Sequence, residues 1–262
     1  MEENNVQWQE PPPPEQIKKV EEEPQMSEVA TLGNIFFEPG RTFEDLRRKP
    51  RFLMAGVIIL VLITLFQVLF IQKGGYERLI RARIEASPQT QQLSKEQIDQ
   101  IIEQQSSPVF KGISYAAAPV VIAIVFLLGG LIYWLGANAM GGSASFLHGL
   151  SVWIYSSLPP TLLFVLANII VLFLKSVDDM DLSSAQSGMV QANPAFFIDA
   201  KAQPVLAAVL SSFDLFAIWG WILAAIGLQK IAKISSGAAW AIVLILGLVG
   251  ITGRVLMAFL FG

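Results

Sequence analysis

Two ionisable residues stand where lipid would surround them. Asp214 lies in the middle of an apolar run from 204 to 228, and Arg254 lies in another from 237 to 261. An ionised carboxylate inside a membrane-crossing helix costs roughly 3 kcal/mol on insertion scales, so Asp214 requires a partner or a proton. Folded as a hairpin about 229 to 236, the two runs leave Asp214 fifteen and Arg254 eighteen residues from the turn. At 1.5 Å per residue that is a depth difference of roughly 4.5 Å. The spacing suits an intramembrane ion pair that fixes how two helices pack, with a proton or cation site as the functional alternative. Pro159-Pro160 interrupts a third run beside Ser156, Ser157 and Thr161. Proline lacks the backbone donor and crowds the preceding turn, so a kink or break is expected there, with carbonyls left for hydroxyls or water. Broken helices line sites in transporters, but no other run carries a matching break.

Other reactive groupings fall short of a site. His148 adjoins Gly141-Gly142-Ser143-Ala144-Ser145, but nothing supplies a base on a separate element or an oxyanion hole. Asp178, Asp179 and Asp181 lack the glycine and the terminal Glu of a calcium loop. Zero Cys excludes disulfides and thiolate metal sites, and a single His argues against histidine-based zinc or triad chemistry. No catalytic residue, metal ligand or cofactor is expected, and an enzyme is not.

The elements that must position Asp214 and Arg254 follow from composition. The 262 residues are 53% hydrophobic and 15% charged, against about 25% charged in soluble domains. Five apolar runs, at about 52 to 72, 114 to 136, 149 to 174, 204 to 228 and 237 to 261, each approach the ~20 residues that cross ~30 Å of hydrocarbon. The fold class is therefore all-α: a polytopic membrane protein, a five-helix transmembrane bundle. Of 39 Asp, Glu, Lys and Arg residues, Asp214 and Arg254 alone fall inside those runs. Residues 1 to 30, with Pro11 to Pro14 and Glu21 to Glu23, form a tail too poor in apolar residues to build a core and are expected to be disordered. Ile35, Phe36, Phe37, Phe43 and Leu46, interleaved with Arg and Lys, predict an amphipathic segment lying in the headgroup layer. The loop 73 to 113 carries two helical stripes, Tyr76, Leu79, Ile80 and Ile84, then Ile98, Ile101 and Ile102 behind a Ser94 to Gln97 capping box. Tyr133, Trp134, Trp153 and Tyr155 are placed as an interfacial aromatic belt, and Gly247, Gly250, Gly253 and Gly220-x-x-x-Ala224 allow close helix packing. Basic residues flanking the first run favour an inside N-terminus only five to four, and an untranslocated charged tail points the same way.

The order of these pieces resembles the Yip domain family of Ypt/Rab-interacting polytopic membrane proteins, in its prokaryotic branch. Its carriers, over residues 30 to 262, are Phe37-Glu38-Pro39-Gly40-Arg41-Thr42-Phe43, Tyr155-Ser156-x-x-Pro159, and Asp214-Leu215-Phe216-x-x-Trp219 running to Gly227-Leu228. Gly142 with Ser145-Phe146 belongs to the same pattern. The resemblance implies five transmembrane helices, a cytosolic N-terminus and an external C-terminus. It also implies a non-enzymatic scaffold or adaptor in membrane organisation, here in a bacterial inner membrane. A small transporter or channel component, using Asp214 and the Pro159-Pro160 break, is the alternative. Expected partners are the lipid bilayer and other membrane proteins, a second copy of the chain among them. Nucleic acid is not expected, and the Asp-Leu-Tyr-Gly segment of trafficking members is missing, which argues against Rab-type GTPase binding.

Overall fold

The computed structural model describes residues 23–87, 90, 93–182, 188–200 and 202–261. The tail expected over 1 to 30 lies outside the described residues as far as 22, and its end already belongs to a helix. Regular structure among the described residues is helical: α1 (Glu28–Asn34), α2 (Pro39–Arg48), α3 (Leu53–Gly74), α4 (Tyr76–Ala86), α5 (Lys95–Gln105), α6 (Pro108–Ala139), α7 (Phe146–Leu174), α8 (Pro204–Ser211), α9 (Leu215–Ala232) and α10 (Ser236–Phe261), with a 3-10 turn at Pro194–Phe197. Five of them, α3, α6, α7, α9 and α10, are long and apolar enough to cross a membrane.

Small residues set the helix spacing, as association in lipid requires. At the crossing of α6 and α7, a Cβ on Gly149 would lie 2.3 Å from the Gly130 carbonyl oxygen, so the two backbones touch. Trp153 covers Gly129, and its ring stands 5.1 Å from that of Tyr133. This corrects the aromatic belt: Tyr133 and Tyr155 are buried in the bundle, and Trp134 donates from Nε1 to the Ala144 carbonyl at 3.0 Å. His148 is structural. Its Nδ1 faces Ser145 Oγ at 2.8 Å and its Nε2 lies 3.0 Å from the Arg47 carbonyl, which ties the start of α7 to the end of α2. A carbonyl only accepts, so Nε2 carries the proton and Nδ1 is the acceptor.

The N-terminal segment turns most of its apolar side to the bundle. α2 packs on α9, and Ile35, Phe43 and Leu46 are fully buried, while Phe37 is 84% exposed. The carboxylate of Asp45, also buried, lies 3.3 Å from Arg51 and 3.9 Å from Arg48, and it accepts the backbone N–H groups of Gln25 and Met26. A charge taken out of water must be compensated in this way, so Asp45 anchors the whole segment to the entrance of α3.

The third run stays one helix. α7 passes through Pro159 and Pro160 unbroken, and the hydroxyls of Ser156 and Ser157 donate to the Trp153 carbonyl at 3.0 and 2.7 Å. The break falls in the fourth run instead. α8 stops at Ser211, with Ser211 and Ser212 donating to the Ala208 carbonyl at 3.1 and 2.8 Å, and α9 begins after Asp214. The single span expected over 204 to 228 is thus a half-helix followed by a span. The two loop helices form as expected: Ser94 and Gln97 cap α5 reciprocally, and Arg81 joins α4 to Asp99 of α5 at 2.7 Å.

Candidate functional site

Asp214 is not a carboxylate stranded in mid-helix. It is the N-cap of α9, and its Oδ1 accepts the Phe216 N–H at 2.9 Å. Side-chain acceptors are favoured at that position because the first helical N–H groups have no intrahelical partner. Its Oδ2 accepts from Asn193 Nδ2 at 3.2 Å, and the Leu215 N–H donates to the Ala192 carbonyl at 3.1 Å. The segment before α8 therefore threads through the break and is stitched to the start of α9.

That segment is held from below by Asn168 of α7. Its side chain is fully buried, accepting the Met189 and Val190 N–H groups at 2.5 and 3.1 Å and donating to the Phe164 carbonyl at 2.8 Å. Gly188 takes φ +119°, and a Cβ there would stand 2.4 Å from the Phe164 ring, so the bend over α7 requires glycine. Asn168 and Gly188 are residues that the sequence reading misses. An asparagine in a membrane-crossing run was the available signal, since an amide at that depth must find partners.

Together these residues roof a cavity of about 1120 Å³ between α6, α7, α8, α9 and α10. Trp153, Pro160, Phe164, Trp221 and Leu246 supply apolar wall, and Asp214 and Arg254 both face into it. Asp214 stands eighteen residues before the end of α9, and Arg254 eighteen after the start of α10. At 1.5 Å per residue each is about 27 Å from the turn joining those helices, hence at one level. The expected ion pair is nevertheless not formed. The carboxylate is taken up by the Phe216 N–H and Asn193, and Arg254 makes no ion pair or hydrogen bond among the described residues.

The remaining motif residues divide between this cavity and the opposite end of the bundle. Ser156 and Phe216 line the cavity, with Phe216 edge-on to Phe164 at 5.6 Å, while Pro159 is buried within α7. Pro39 occupies the first turn of α2. Phe43 sits over Gly227, where a Cβ would lie 2.9 Å from its ring. Trp219 meets the Phe36 ring edge-on at 6.3 Å. Tyr155 bonds to Thr31 of α1, oxygen to oxygen at 2.9 Å, and because Thr31 Oγ1 donates to the Glu28 carbonyl, the phenol is the donor. Lys230 donates to Glu44 at 2.7 Å and holds that carboxyl below its usual range. No group of three or more metal-ligating side chains occurs among the described residues.

Comparison with known proteins agrees with this architecture. Residues 33–257 match the model of the Yip1 domain. The chain is 29% identical over 220 residues to the "Membrane protein YknW" of Bacillus subtilis, covering 84% of this chain and 86% of that protein. No solved structure matches.

Proposed function

The chain belongs to the Yip1 domain family, and from that premise we propose that it is a non-enzymatic scaffold or adaptor of a bacterial inner membrane, with its N-terminus in the cytoplasm and its C-terminus outside. The observation that carries this reading is the docked N-terminal module. A polar helix, α2, is fastened to the bundle through Phe43 over Gly227 and buried Asp45, and α1 before it through Tyr155 on Thr31. Its outer side, with Glu38 and Arg41 more than half exposed, is thereby held rigidly at one face of the membrane domain. Such a surface suits docking of other proteins, because little conformational entropy remains to be lost on binding. Crosslinking in the native membrane through a photoreactive residue at Arg41 should capture a membrane-protein partner, and Phe43→Ala, which undocks α2, should abolish capture. Turnover or transport of a defined substrate by the purified protein would overturn this assignment.

A second reading has one observation in its favour. The cavity brings Asp214 and Pro160 into one space, as a small transporter or channel component would require. It predicts proton- or ion-dependent flux in liposomes that Asp214→Asn removes, and unchanged flux in that variant would eliminate it.

A further inference from the structure

The two charges inside the membrane domain face the same cavity at the same level without pairing. Their nearest approach exceeds the 4.0 Å of an ion pair. A guanidinium in a lipid-crossing helix is costly unless water or an anion meets it, and Arg254 is the sole charged residue of α10. Asp214 spends one oxygen on Phe216 and one on Asn193, yet a carboxylate offers about four acceptor sites, so two remain for a further donor. From this charged level the wall continues as Phe164, Pro160, Trp153 and Trp221 towards the interior of the bundle.

We propose that the cavity binds one molecule of a zwitterionic, primary-amine phospholipid, of the phosphatidylethanolamine class. The phosphate sits on Arg254, the ammonium donates to Asp214, and an acyl chain lies along Phe164, Trp153 and Trp221. Size favours a lipid over a partner's helix. The volume is about 1120 Å³, just above the ~300–1,000 Å³ of small-molecule sites. A membrane-crossing helix, a cylinder ~10 Å across and ~30 Å long, occupies roughly 2,400 Å³. Charge favours a zwitterion over an anion, because Asp214 repels an anionic headgroup while Arg254 attracts it. The ammonium is selected over a quaternary amine because the latter has no N–H to donate. This assignment is independent of the scaffold reading, since it involves none of the residues that dock α2.

The test is native mass spectrometry of the full-length protein in detergent, titrated in separate arms with phosphatidylethanolamine, phosphatidylcholine and phosphatidylglycerol of identical chains. The wild type should bind one phosphatidylethanolamine at least tenfold more tightly than either other lipid. Asp214→Asn keeps an N-cap side chain for α9 and should erase the preference over phosphatidylglycerol. Arg254→Gln should weaken all three lipids. Gly250→Phe is a separate check: Gly250 lines the cavity one helical turn before Arg254 with nothing within 4 Å of its Cβ position, so the ring fills the space while both charged side chains are kept. It should lower phosphatidylethanolamine binding by a similar factor while the lipid-free unfolding temperature is held. Equal binding of the three lipids by the wild type, absence of a one-to-one complex, or binding unchanged in all three variants would overturn the proposal.

Discussion

Gly227 is where a missing side chain decides whether the N-terminal module docks. A Cβ at that position would lie 2.9 Å from two ring atoms of Phe43 and 2.9 Å from a methyl of Val152. Both neighbours are fully buried, so neither has room to yield. Overpacking of this kind costs about 1–3 kcal/mol. Gly227→Ala should therefore lower the thermal midpoint and expose α1 and α2 to limited proteolysis. Phe43→Leu in the same background should recover part of the loss, because the two residues share one contact and their effects cannot add. Losses that sum in the double variant would show that Phe43 is not the group Gly227 accommodates. Gly227 and Phe43 both belong to the motifs that pointed to the family, yet their spacing in sequence carries no hint that one is the seat of the other. That pairing exists only once α2 lies on α9.

At the scale of elements, apolar length and periodicity were legible and interruptions were not. The five crossing helices, the Ser94 to Gln97 capping box and the α4–α5 pair follow from pattern. The break expected at Pro159-Pro160 lies instead in the fourth run, between α8 and α9. α7 carries the two missing donors without breaking, whereas Ser211-Ser212-Phe213-Asp214 is a helix stop followed by a helix start. Asp214 is an N-cap residue type, but the uniform hydrophobicity on both sides hides the helix start from the pattern. A tertiary contact that the pattern does not show seats α2 on α9, where Glu44 meets Lys230. Because that contact lowers the Glu44 pKa in the folded state, its contribution is fully present above the unfolded-state value of ~4.3 and is lost as pH falls through the depressed folded value. The difference in thermal midpoint between the wild type and Lys230→Gln should accordingly be constant from pH 8 to about 5 and vanish on further acidification. With both side chains about two-fifths exposed, the difference should be small and should shrink with added salt. A difference that grows on acidification would contradict this account.

For the whole molecule the contacts sort the loops into two faces. On one, α2 joins the start of α7 through His148 and Arg47, and the Ser143 N–H donates to the Ala232 carbonyl at the end of α9. On the other, Lys73 donates to the Leu172 and Lys175 carbonyls, and Arg78 lies 3.8 Å from Asp178. The described chain crosses between these faces five times, so Glu38 and the last turn of α10 lie on opposite sides. Which face is cytoplasmic is barely encoded in the flanking charges, because the basic residues before and after α3 nearly balance. The sequence nonetheless makes the question easy to settle. It contains no cysteine, so any introduced thiol is the sole site of labelling. Glu38→Cys and Asp178→Cys replace side chains that are 54% and 93% exposed, neither of them in the core. In intact cells a membrane-impermeant maleimide should label the Asp178→Cys variant and leave the Glu38→Cys variant unlabelled until the membrane is opened. The reverse pattern would invert the orientation proposed for the domain. It would place the α2 platform outside the cell and the level of Asp214 and Arg254 nearer the cytoplasm. Labelling of both variants in intact cells would contradict the three crossings between them, α3, α6 and α7, since an odd number of spans requires the two positions to differ.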